Sequence, residues 1–153
     1  MEIFGIVVII TVAGFLLLRK RLRRGIFRDK DSLKQSLDQL LNQMHEGFLI
    51  FTHAKSEKFL QFTRYQRENN TGITLGFPIV SWSEPYEKAM KIFCENNGIN
   101  IAESFGSDNT KFIDIDFGHD TESANNFIIS VFSEVLKAPP EDGFHVFLDG
   151  KIS

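Results

Sequence analysis

Leu33, Leu37, Leu40, Leu41 and Met44 recur at i, i+4, i+7, i+8 and i+11, which is one face of a helix, and Asp31 or Ser32 stands where an N-cap belongs. A second helix is predicted from Ser83, with Pro85 in its first turn and Tyr86, Ala89, Met90 and Phe93 turned inward. Asn97-Gly98 stops it. A third runs from about Thr121 to Lys137 on a stripe of Phe127, Ile128, Val131, Phe132 and Val135, and Pro139-Pro140 ends it. Between these helices the period shortens and Phe, Ile and Thr dominate, which predicts strands at 48–51, 58–65 and 73–82. A hairpin follows, 99–105 with 111–117 across Gly106-Ser107-Asp108-Asn109, and 144–148 adds a last short strand. The order α-β-β-β-α-β-β-α, with strands in runs rather than strict alternation, predicts an α+β fold of helices on an antiparallel sheet. Pro78 lacks an N–H donor, so the strand carrying it is expected to be an edge or to bend there.

The first 25 residues follow neither pattern. Residues 3–18 carry no charge, and Arg19, Lys20, Arg21, Arg23 and Arg24 follow at once, as at the interface end of a single transmembrane anchor. Sixteen residues make a helix of about 24 Å, whereas a bilayer usually asks for about 20 residues. Snorkelling Arg19 and Lys20 can close that gap. A cleaved signal peptide needs a basic n-region, but the only charged side chain before the run is Glu2. The expected organisation is therefore an anchor over 1–25 and a soluble α+β domain over 26–153. The positive-inside rule puts that domain at the cytoplasmic face of the inner membrane. A lone cysteine, Cys94, agrees with a reducing compartment, and the sequon at Asn69-Asn70-Thr71 would then go unused.

Charge sharpens the division. Five of the 17 Lys+Arg and one of the 20 Asp+Glu lie in the anchor region, which leaves the domain twelve against nineteen, about −7. An acidic domain argues against nucleic acid as a partner, because phosphates need a basic footprint. Fourteen of the 16 phenylalanines fall in the domain, enough large apolar side chains for a compact core.

Chemistry has one candidate constellation. Asp114 and Asp116 share a strand face, and His119 and Asp120 follow at its end, a set that a hard metal or an acid–base site could use. A structural reading covers the same residues: Ile113, Ile115 and Phe117 take the core face, Asp114 and Asp116 the solvent face, and Asp120 caps the third helix. His45, His53 and His145 lack ligand spacing, and Cys94 beside Phe93 suits a small core residue. The chain has no phosphate loop, GxSxG or CxxC pair. No catalytic residue, metal or cofactor is expected.

Binding has two candidate surfaces. The run Phe77-Pro78-Ile79-Val80-Ser81-Trp82 could accept a partner strand if it is an edge, with Phe77, Ile79 and Trp82 as contacts, Trp82 being the chain's only tryptophan. Trp82 could equally close the core at a strand–helix junction. Residues 144–148 are the second candidate, at the other edge.

Lys58-Phe59-Leu60-Gln61-Phe62 and Gly76-Phe77-Pro78, set in this element order, resemble the second and third strands of YbjN-like proteins, which share the type III secretion chaperone-like fold. The resemblance spans about residues 32–137. It implies a protein partner bound across the sheet or a helix face, often by dimers, so a homodimer is among the expected assemblies. It brings no catalytic residues. The expected function is a membrane-tethered, chaperone-like or accessory protein-interaction module. The alternatives are an inner-membrane immunity protein that neutralises a toxin, and a small enzyme or metal-binding domain using Asp114, Asp116 and His119.

Overall fold

A computed structural model describes residues 25–149 of the chain. The anchor expected over residues 1–25, with Arg19, Lys20, Arg21, Arg23 and Arg24, lies outside that range except for Gly25. Among the described residues no helix is long and apolar enough to cross a membrane.

The described chain is α+β. In order it runs β1 (Ile26–Arg28), α1 (Leu33–Asn42), β2 (Gly47–His53), β3 (Phe59–Arg67), β4 (Asn70–Ile79), α2 (Glu87–Asn96), β5 (Ala102–Phe105), β6 (Lys111–Gly118), α3 (Thr121–Ser130) and β7 (Phe144–Leu148). One antiparallel sheet holds all seven strands in the order β1-β7-β2-β3-β4-β6-β5. β2, β3 and β4 form a meander. The chain then crosses by α2 to the far edge, returns through β6, and crosses back by α3 to insert β7 between β1 and β2.

All three helices lie on one face. Leu33, Leu37 and Leu40 of α1, Met90 and Cys94 of α2, and Ala124, Phe127 and Ile128 of α3 form one core with Leu49, Phe51, Leu60, Phe62, Leu75, Ile113 and Val146 of the sheet. Phe51 and Phe62 meet edge-to-face at 5.9 Å, and Phe62 also reaches Phe117 at 6.0 Å. Thr121 at the start of α3 donates to Asp38 of α1 at 2.6 Å, which ties the two helices together. Ala89, expected on the inner face of the second helix, is exposed, since Met90 and Cys94 fill that space.

Two buried polar residues hold connections that periodicity gives no hint of. Arg64 points from β3 into the helix layer, where its Nε donates to the Leu41 carbonyl at 3.1 Å and its Nη1 to that of His45 at 3.3 Å. It thereby satisfies carbonyls that the end of α1 leaves open. His53 is fully buried between Phe132 and Phe144. Its Nδ1 accepts from the Ser56 backbone N–H at 3.0 Å, so Nε2 carries the proton and donates to the Pro139 carbonyl at 2.8 Å.

Helix ends differ from expectation in two places. Ser83 does not cap a helix with its side chain. Its Oγ instead accepts from the Val80 N–H at 2.8 Å and donates to the Pro78 carbonyl, tying off the end of β4, and α2 starts only at Glu87 after a 3-10 turn. The third helix loses α-regularity at Val131, and a π turn over Val131–Val135 carries it onward. Val131, Phe132 and Val135 within it are buried in the helix-side core. Asp120 caps α3 as expected, accepting from the Ser123 N–H at 2.9 Å.

Candidate interaction surface

The expectation that the Pro78 strand is an edge or bends there holds only at the proline itself, and not for the strand as a whole. β4 lies inside the sheet, paired with both β3 and β6. Its register with β3 ends at Gln61↔Gly76, so Phe77, Pro78 and Ile79 run on against β6 alone. An interior strand can hold a proline there because no β3 neighbour requires its N–H. Phe77 is fully buried in the helix-side core and Ile79 packs against that core, so neither side chain is free to contact a partner. Residues 144–146 are not an edge either, because β1 pairs with them on the side away from β2. The edges are β1 and β5, of three and four residues.

Trp82 sits in a different setting from its two expected companions. Just beyond the end of β4 its ring meets Phe59 at 5.2 Å and Phe77 at 5.8 Å. Phe77 faces the helices, whereas Phe59 faces the other way, so Trp82 closes one end of the sheet between its two faces.

That second face carries the candidate surface. Alternation along the strands sends Phe48, Ile50 and Thr52 of β2, Phe59 and Gln61 of β3 and Phe147 of β7 away from the helices. The register sets Ile50 opposite both Gln61 and Phe147, and Thr52 opposite Phe59. Ile50 and Phe59 form a small core of their own, with Phe48, Phe147 and Trp82 packed around it. Among the described residues no helix joins that cluster. Three buried polar atoms within it lack a hydrogen-bond partner: Thr52 Oγ1, Gln61 Oε1 and Trp82 Nε1. They offer a hydroxyl, an acceptor and a donor inside one apolar patch, whereas buried polar groups are ordinarily paired.

The other half of the face is polar and holds the carboxylates. Asp114 lies half-buried on β6 across from Gly76, and burial raises its carboxyl above the ordinary aspartate value, partly offset by a hydrogen bond from Ser104. Asp116 is exposed and accepts from the Tyr65 hydroxyl at 2.9 Å and from the Gly118 N–H at 2.8 Å. The Tyr65 ring lies across Gly72 on the neighbouring strand, where a Cβ would run into it. Burial, then the Asp116 bond, raises the Tyr65 hydroxyl above its ordinary value. His119 meets Thr71 at 3.4 Å, and Asp120 is committed to its cap. These four residues thus divide among a strand pair, a loop contact and a helix cap. Among the described residues no group of three or more His, Cys, Asp or Glu could hold a metal ion.

One further cluster has the composition of a nucleophilic site. Ser56 Oγ lies 2.8 Å from His53 Nδ1, and His53 Nε2 lies 3.4 Å from Asp142 Oδ2. The same Nδ1 already accepts the Ser56 N–H, Nε2 is turned to Pro139, and Ser56 Oγ also accepts from the Lys58 N–H at 3.3 Å. These bonds make a staple for the β2–β3 turn. Cys94 is buried, and that burial pushes its thiol up to about 11, far from a reactive thiolate.

Comparison with known proteins gives no match to any protein family, curated protein or solved structure. The functional reading therefore rests on the chain's own geometry. Sequence reasoning named Trp82 and, within residues 144–148, Phe147, but not Phe48, Ile50 and Phe59 as contacts. The available signal was that 48–51 is apolar at every position and that 58–65 opens with adjacent Phe59 and Leu60, which puts apolar side chains on both faces there.

Proposed function

We propose that the protein is a membrane-tethered interaction module that binds a protein partner on the sheet face around Trp82. The observation that carries this reading is the apolar cluster of Phe48, Ile50, Phe59, Phe147 and Trp82 with three unpartnered polar atoms inside it. An apolar patch with a few convergent polar groups is the usual composition of a recognition surface, and tryptophan is the residue most enriched at the energetic centre of interfaces. The tether is residues 3–18, with Arg19, Lys20, Arg21, Arg23 and Arg24 at the cytoplasmic side. The secretion chaperone-like resemblance supports the same reading, since that fold holds a partner segment across its sheet or helices. Phe77 and Ile79 support the surface from beneath, through the helix-side core on which Trp82 also rests.

The test is capture from detergent-solubilised native membranes by the full chain and by Trp82→Ala, with circular dichroism to verify that both are folded. One stoichiometric protein recovered by the first and lost by a folded Trp82→Ala is the expected result. Equal recovery by both, or no stoichiometric protein with either, refutes the reading.

A further inference from the structure

We propose that the β5 edge of the sheet and the neighbouring helix α2 form a second protein-binding site, which takes an extended segment of a partner as an added antiparallel strand. It is built from residues that the face around Trp82 does not use.

The first observation is the direction of the backbone groups on β5. The Gly106 N–H donates to the Thr110 carbonyl at 2.8 Å, at the turn that joins β5 to β6. Antiparallel pairs alternate between hydrogen-bonded and non-bonded. With Phe105 opposite Lys111, Ser104 opposite Phe112 and Ala102 opposite Asp114, the bonded pairs are those of Ser104 and Ala102. The N–H and C=O groups of Glu103 and Phe105 therefore point out of the sheet, and no described strand lies beyond them. Donors and acceptors repeating at every second residue are what an added strand pairs with. Natural edges are often blocked by a proline, a bulge or a charged side chain. β5 has neither proline nor bulge, and its one charged side chain, Glu103, is already held by Lys91 at 2.7 Å and Lys111 at 3.4 Å.

The second observation is what flanks that edge on the helix side. Glu103 lies opposite the buried Ile113, so Glu103 and Phe105 both face the helix layer, where Glu103 meets Lys91 of α2. Where the chain passes from α2 to β5 it leaves an open cavity of about 430 Å³. Its apolar lining is Cys94, Ile99 and Ile101, and Lys91 and Glu95 border it. At the other end of β5 the Phe105 ring is 66% exposed. A strand laid along β5 turns every second side chain to this side. One falls opposite Phe105, the next opposite Glu103, and the third at the cavity.

These three positions define the occupant. The outer two call for apolar side chains four residues apart, one against the Phe105 ring and one in the cavity. The middle one meets Glu87, Lys91, Glu103 and Lys111, two carboxylates and two ammonium groups already bonded to one another. A charge there would go uncompensated, so the middle side chain is neutral. Glu95, exposed and without an ion pair among the described residues, favours a basic residue just past the cavity. A second copy of this chain fits poorly. Pairing β5 with itself about Glu103 brings Phe105 of one copy to the cavity of the other, but it sets the two Glu103 carboxylates directly opposite. Registers shifted either way put Glu103 or the Gly106–Asn109 turn at the cavity instead. The partner is a different protein, whose segment reads apolar, any, neutral, any, apolar, then basic.

The probe is a displayed library of random short peptides, selected on the full chain in detergent micelles. The expected result is one consensus with apolar residues four apart about a neutral centre, whose peptide slows amide exchange at Glu103 and Phe105. Phe105→Pro removes an outward N–H and leaves the bonds to β6, whereas Phe105→Val keeps that N–H and an apolar side chain. The first should weaken the peptide about tenfold, and the second by less than about threefold. Methylating the N–H groups of the peptide one at a time should cost affinity at every second residue, a pattern that simple apolar adhesion does not give. That series decides the matter if Phe105→Pro does not fold. Trp82→Ala should leave the peptide bound, so this site and the face around Trp82 stand or fall separately. No consensus, a consensus indifferent to methylation, one lost with Trp82→Ala, or a chain that sediments as a dimer and turns monomeric with Phe105→Pro overturns the proposal.

Discussion

Leu49, Phe51, Leu60 and Phe62 on one face of the β2–β3 pair, and Phe48, Ile50, Phe59 and Gln61 on the other, alternate along the same two strands yet meet different surroundings. The first set is enclosed by three helices, and Arg64 and His53, which reach that layer from the sheet, have hydrogen-bond partners, although Asn125 Oδ1 of α3 has none. The second set has an apolar centre, an aromatic rim and three polar atoms left unpaired. A sheet face shaped only for stability would resemble the first. The difference teaches that the second face is finished by something other than the described helices.

The largest expected effect tests that contrast directly. Phe62→Ala removes a fully buried ring from the helix-side core and should cost about 3–5 kcal/mol. Phe147→Ala, on the half-buried rim of the second face, should cost about 1 kcal/mol. Urea denaturation of the two variants measures the gap, and equal losses would mean that the two faces contribute alike to the fold. Next in size is Gly143→Ala, at the entry to β7. Gly143 has φ 80° and ψ 179°, a region nearly confined to glycine, and a Cβ there would run into the Phe27 ring. The strain should cost about 1–3 kcal/mol. Thermal melting reads it, and amide exchange at β1 should rise as Phe27 is displaced.

A smaller change has opposite signs for stability and for binding. Gln61→Leu replaces a buried acceptor that has no partner by an apolar side chain of similar size. Removing an unsatisfied buried polar atom should stabilise the folded chain by about 1 kcal/mol while weakening partner capture. The melting temperature and the capture yield would then move in opposite directions. If both fall, Gln61 has a structural role and the unpaired oxygen is not reserved for a ligand.

Apart from the three-residue β1, which was not expected, the order of elements was legible in the sequence because the helices carry apolar stripes and the turns their own punctuation: Asn97-Gly98, the Gly106–Asn109 turn and Pro139-Pro140 all lie where elements end. Sheet order was not legible. Insertion of β7 beside β2 is a long-range pairing, and Pro78 marks a free side only at the end of β4, not for the strand as a whole. β4 is interior over most of its residues and has a single neighbour only at its last three. Of the expected contacts Phe77, Ile79 and Trp82, only Trp82 touches the second face, because alternation turns Phe77 and Ile79 toward the helices whereas Trp82 lies past the end of β4. Arg64 and His53 left no trace in the pattern, since a buried polar residue within a strand reads like an exposed one until its partners are known.

The smallest predicted effect sets one carboxylate against another across the sheet. Asp38, on the helix side, is held below the ordinary aspartate value, first by the Thr121 hydroxyl and then by Lys34. Its contribution is present above the ordinary value near 3.9 and is lost as pH falls through the lower folded value. Asp114, on the second face, is raised by burial, with Ser104 offsetting part of the rise. The folded chain therefore binds that proton more tightly than the unfolded one. Stability falls as pH rises from about 3.9 through the raised value. Asp38→Asn should thus lower the melting temperature at pH 7, and Asp114→Asn should raise it slightly, with both differences closing under acid conditions. Melting curves from pH 3 to pH 7 measure the two slopes, and slopes of the same sign would show that the Ser104 bond outweighs burial at Asp114. Opposite slopes would mean that a charge in the helix layer is built into the fold, whereas the one on the second face is tolerated at a cost, as a side chain kept for recognition would be.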